Sequence, residues 1–141
     1  MLKLSVRKSI ALATLIAMPT IILAGDKVDE TLTATSDGVV EIQNVRGKIE
    51  IVGWDKDLVN VSGELDDLAD KLIFSTEGKV TLIRVEMPSR NINQGDGSNL
   101  VINIPHANRI DFNGVSTDIL VRDIAGGIDI HTVSGDVDAI N

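Results

Sequence analysis

From residue 99 to residue 141 the aliphatic side chains return every nine positions, and few folds can use such a repeat. One slot holds Val101, Ile110, Ile119, Ile128 and Val137. A slot two residues on holds Asn103, Phe112, Val121, Ile130 and Ala139; a third, five residues after the first, holds His106, Val115, Ile124 and Val133. Strands of about five residues with four-residue corners would make nine residues one side of a flattened coil, each strand spanning ~17 Å. Two sides close a turn, so the coil length is 18 residues, and VSTD at 115–118 does recur as VSGD at 133–136. Ile110 would then lie over Ile128, and Ile119 over Val137, ~4.8 Å apart in parallel ladders, with the corner aliphatics Val115, Ile124 and Val133 plugging the narrow edges.

The same offsets occur earlier in the chain. Val40, Ile42 and Val45 are followed nine residues later by Ile49, Ile51 and Trp54, with Glu41, Gln43, Lys48 and Glu50 between them in the period-2 alternation of half-buried strands. The turn from Asp55 to Leu58 adds one residue before Val59 and Val61. LIFSTEGKVTLIRVEM reads as two strands around Glu77 and Gly78, with Val80, Leu82 and Val85 resuming the three slots. Two stretches interrupt the pattern. ELDDLADKL, residues 64–72, spaces Leu65, Leu68, Ala69 and Leu72 as a short helix would, and PSRNINQGDGSN, residues 88–99, is a Gly-, Ser- and Asn-rich loop.

This pattern predicts an all-β fold, a single-chain β-solenoid of about two strands per 18-residue coil with one short helix. The alternative is an antiparallel β-sandwich, whose strands also recur every eight to twelve residues. Offsets favour the solenoid, because only stacked coils require three apolar slots to stay in register.

The chain opens with Lys3, Arg7 and Lys8, followed by the uncharged apolar run from Ser9 to Ala24, the layout of a secretory signal. Residues 1–24 are therefore read as a signal peptide, with an uncleaved anchor as the alternative, and 25–141 as one domain. That domain comprises coils over 38–87, the loop 88–99 and the regular array 100–141. Ten basic residues against 21 acidic ones after Ala24 give it a formal charge of −11, a poor match to nucleic acid or an anionic membrane surface. Contact with a membrane is expected only through the signal segment. Cysteine is absent, so an exported chain of this kind must rely on backbone ladders, with no disulfides to staple it.

Candidate chemistry is sparse. Asp118 and Asp136 would stack one coil apart, as would Asp111 and Asp129, and the first pair are the candidate metal ligands. Calcium-binding nonapeptide rolls need GGxGxD, however, and the chain offers only GGIDI at 126–130 and GDVD at 135–138, so no metal or other cofactor is expected. Two exposed carboxylates at that spacing repel by only ~1 kcal/mol in water. His106 and His131 lie 25 residues apart with no Ser, His and Asp set around them, so no catalytic residue is assigned. His106 and Trp54 fall in corner slots and are read as structural. Trp54, Phe74 and Phe112 are the only aromatics, few for a sugar-binding groove.

Three stretches resemble the bacterial putative-adhesin family, a group of exported β-solenoids without an assigned activity. They are GKIEIVGWDKDLVNVSGEL at 47–65, LVINIPHANRIDFNGVSTDILVRDIAGGIDIHTVSGDV at 100–137, and the export signal. The most specific parts are the GW of Gly53 and Trp54, the IP of Ile104 and Pro105, and the paired VSTD and VSGD corners. The resemblance implies an adhesin-like solenoid of the envelope or extracellular space, and supplies no ligand or active site. The repeat, the export signal and the missing catalytic constellation add the expectation of a non-catalytic binding or scaffolding module of the cell envelope, periplasmic or at the cell surface, for an unknown envelope or extracellular ligand. A carbohydrate-active β-helix enzyme and a purely structural envelope protein are the alternatives. Such domains usually continue for further coils, so the expectation is a C-terminally truncated chain, or one that self-associates through an open edge after Val137.

Overall fold

The computed structural model describes residues 20–23, 27–89 and 95–141. They form ten strands: β1 (Thr20–Leu23), β2 (Lys27–Thr33), β3 (Val39–Trp54), β4 (Leu58–Glu64) and β5 (Lys71–Glu77), then β6 (Val80–Glu86), β7 (Ser98–Pro105), β8 (Arg109–Arg122), β9 (Ile128–His131) and β10 (Val137–Ile140). The fold is all-β, with no helix among the described residues. Most of the segment read as a signal peptide lies outside them. Its residues Thr20–Leu23 pair antiparallel with β5.

β3 organises the molecule. Its first half pairs in parallel with β6 on one side and the start of β8 on the other; its second half pairs in parallel with β7 and the end of β8. Val40 and Ile42 point inward from the first half, Ile49 and Ile51 from the second, and all four belong to one buried cluster with Phe74, Phe112 and their neighbours. Burying each such aliphatic side chain contributes ~1.5–3 kcal/mol. Beyond β6 and β7 the sheet continues antiparallel, through the β5–β6 hairpin and through β4 and β2. Gly78 supplies the left-handed φ of 60° that the tight β5–β6 turn uses.

Beyond β8 the pairing is parallel and follows the 18-residue coil. Ile110 lies beside Ile128 and Phe112 beside Ile130, Ile119 beside Val137, and Ser116 bridges Ser134. The vertical neighbours expected from the repeat are these. The sheet as a whole is mixed, so neither a wholly parallel coil nor an antiparallel sandwich describes all of its pairings.

Four expectations are corrected. First, layers do not follow chain order: β8 stacks on β3, placing Ile110 beside Val40 and Ile119 beside Ile49 across 70 residues of sequence. Second, in the layer above β3 the inward residues are Thr81 and Ile83 in β6 and Leu100 and Ile102 in β7, not Val80, Leu82 and Val101. These strands carry apolar residues on both faces, so the alternation leaves a one-residue ambiguity, and a one-residue shift exchanges the faces. Third, the stretch 64–72 holds no helix: its ends belong to β4 and β5, and residues 65–70 make a turn between them. Asp66 accepts from the Leu68 amide at 2.9 Å through its side chain and from the Ala69 amide at 3.0 Å through its carbonyl, a local bonding pattern that competes with a helix. Fourth, Val115 and Val133 do not plug their corner but are exposed, Val133 at 82 %. Asn44 and Thr117 fill its interior instead, the Thr117 hydroxyl donating to the Asn44 carbonyl at 3.1 Å. At the opposite corner Ile124 is buried as expected.

Candidate functional site

The coil geometry brings the two candidate metal ligands together. Asp118 and Asp136 occupy stacked positions, and Asp118 Oδ1 accepts from the Asp136 amide at 2.9 Å. One carboxylate oxygen is thus committed to holding the terminal layer on β8. Lys48 stands beside Asp118 in the β3 register and extends the column with an opposite charge. Among the described residues no group of three or more His, Cys, Asp or Glu side chains is arranged to hold a metal ion. Asp111 and Asp129 are also neighbours, and Arg109 Nη2 lies 3.5 Å from Asp129.

Close to that column is an ion pair that pattern reading alone did not single out. Arg46 donates from both Nε and Nη2 to the Asp66 carboxylate, the latter at 2.9 Å, and the Asp66 side chain is only 1 % exposed. The hydrogen bond from Arg46 is the main cause that holds the Asp66 carboxyl below its ordinary range; burial opposes it and the Leu68 amide assists. The same pairing raises Arg46. Arg46 sits at the bend of β3 and Asp66 in the turn after β4, so the pair ties a strand corner to a connection 20 residues away. Its hydrogen bonding and enclosure mark it as structural. No spacing rule predicts this contact, because the partners meet only after β4 has folded back along β7.

The opposite corner carries a different set of groups. Gly53, Trp54, Asp55, His106, Asp123 and Ile124 line an open pocket of about 590 Å³. β3 delivers Gly53 and Trp54; His106 follows β7 and Asp123 follows β8. The backbone here is closely fitted: a Cβ on Gly53 would lie 1.9 Å from the Asp123 carbonyl oxygen, so only glycine allows these chain segments to meet. Asp123 has a left-handed φ of 56°, the only positive φ at a non-glycine residue among those described. Trp54 Nε1 donates to the Leu58 carbonyl at 2.8 Å, which fixes the indole. Lys56 Nζ lies 4.8 Å from the centroid of that ring, a cation–π contact. His106 Nδ1 is 3.3 Å from both the Trp54 carbonyl oxygen and Asp55 Oδ1. The sequence-based structural role of Trp54 and His106 is therefore incomplete, since both also line an accessible pocket.

No protein-family model matches the sequence, and no curated protein matches it. Solved structures do. A crystal structure named as a putative cell adhesion protein from Clostridium sporogenes aligns with 81 % of the chain at TM-score 0.53 and 16 % identity. A putative adhesin from Bacteroides fragilis aligns with the same share, at the same TM-score and identity. The chain has the fold of these bacterial adhesin-like proteins. It spans 61 % of the length of the first and 53 % of the second. At this identity the likeness concerns the adhesin-like fold alone, and it agrees with the family resemblance carried by the GW, IP and VSTD/VSGD segments. Both corners border an open pocket of about 590 Å³, but one is braced by bonds among Arg46, Asp66, Asn44 and Thr117, and the other presents Trp54, Asp55 and His106 to solvent.

Proposed function

We propose that the chain is an exported, adhesin-like binding or scaffolding module of the bacterial cell envelope, with no catalytic activity. The observation that carries this reading is the fold shared with two bacterial structures named as putative adhesins, over 81 % of the chain. The parallel ladder from β3 through β8 to β9 and β10 supports a β-solenoid as its architectural principle, capped at the other end by antiparallel strands. The cationic start and apolar run up to Ala24 support export. Acidic character after Ala24 favours polar or cationic partners over nucleic acid.

Expression of the full chain in a bacterium, followed by fractionation and protease treatment of intact cells, tests localisation. Recovery in the cytosol alone would refute export. Incubation of the purified protein with immobilised envelope glycans tests the role: retention without cleavage is expected, whereas release of shortened glycans would establish an enzyme instead.

A further inference from the structure

We propose that the corner pocket beside Trp54 binds an organic ammonium group. This gives a ligand class to the binding role proposed above and rests on that role. Three observations converge. The pocket is bordered by an indole whose orientation is fixed by the bond from Nε1 to the Leu58 carbonyl, and a held aromatic ring is a ready surface for a cation. The ring accepts a cation, since the ammonium of Lys56, which lies outside the lining of this pocket and borders the adjoining one, is 4.8 Å from its centroid. Two carboxylate residues, Asp55 and Asp123, line the same cavity, and the Asp55 side chain is 98 % exposed. A formal charge of −8 on the whole chain favours the approach of cations and opposes that of acids.

The backbone supports a fixed site. Asp123 is held in its left-handed conformation against Gly53, and its amide donates to the Ile140 carbonyl at 3.2 Å. The cavity, about 590 Å³, would accommodate a substituted amine rather than an ammonium ion alone. No group of metal-ligating side chains surrounds it among the described residues, which points away from an inorganic cation. Chemistry of this kind occurs on amino sugars and on quaternary choline-type headgroups.

Trp54 is the only tryptophan in the chain, so its fluorescence reports on the pocket without a label. The full chain is titrated with choline and with glucosamine, and with glucose and glucuronate as controls. A saturable change with at least one ammonium compound, absent with both controls and weakened by salt, is expected. Response to choline alone identifies a quaternary headgroup; response to glucosamine alone identifies an amino sugar. Lys56→Gln removes a nearby positive charge and should tighten binding about threefold, and Asp123→Asn should weaken it about fivefold, the ratio for ~1 kcal/mol of attraction between opposite charges. Asparagine tolerates the left-handed conformation, so Asp123→Asn should fold, and circular dichroism checks that it does. No saturable response in either the natural chain or Lys56→Gln overturns the inference, as does an equal response to glucose. Envelope retention without an ammonium response removes only this inference; the converse removes only the envelope role.

Discussion

The β8 layer and the layer formed by β9 and β10 carry nearly the same side chains in the same slots, yet their environments differ. Ile110 is fully buried and Ile119 is 3 % exposed, whereas their stacked counterparts Ile128 and Val137 are 39 % and 45 % exposed. β8 has neighbours on both sides, β3 and the pair β9 and β10; the last two strands pair on one side only among the described residues. Burial is thus a property of stacking more than of sequence. A repeat specifies which residues can share a column, and the next layer determines whether they leave water.

Mutations can break this comparison. Phe112→Ala, at a fully buried ring, should lower unfolding free energy by about 3–5 kcal/mol in urea titration, the largest of these effects. Next is Arg46→Met, which leaves the enclosed Asp66 carboxylate without its bidentate guanidinium and should cost roughly 3 kcal/mol. A similar loss at Ile110→Ala, about 2–5 kcal/mol, should contrast with less than ~1 kcal/mol at Ile128→Ala. Equal losses at these two isoleucines would show that the terminal layer is covered in solution.

The smallest effect concerns acid. Asp66 is held below its ordinary pKa, so the stability it contributes is complete above the unfolded value of ~3.9 and is lost as pH falls through the lower folded value. The contribution of Asp66 should therefore not vary with pH around neutrality, and stability should decline below about pH 4. Asp66→Asn should flatten that decline in thermal melts recorded across the acid range. An unchanged slope would assign acid sensitivity to other carboxylates.

Much of the fold is legible along the chain wherever apolar and polar residues alternate cleanly. The β5–β6 hairpin around Gly78, the coil from Ile110 to Ile128 and the stacking of Asp118 with Asp136 all follow from spacing. Alternation becomes ambiguous where both faces carry aliphatics, as at Val80–Leu82 and Leu100–Val101, and there the inward face is decided by pairing with β3. The site is less legible. Trp54 and His106 occupy corner slots in the repeat, but their proximity to Asp123 depends on β7 and β8 lying on opposite sides of β3.

The sequence by itself determined strand character, the coil length and the residues able to form columns, because period-2 alternation and a nine-residue repeat are local properties of the backbone. Tertiary structure decided the layer order, the one-residue register of β6 and β7, the turn at Asp66 and the meeting of Gly53 with Asp123. Those features depend on which strand edge is captured by which, a competition among contacts distant in sequence, and on ion pairs and close approaches that exist only once the edges have joined.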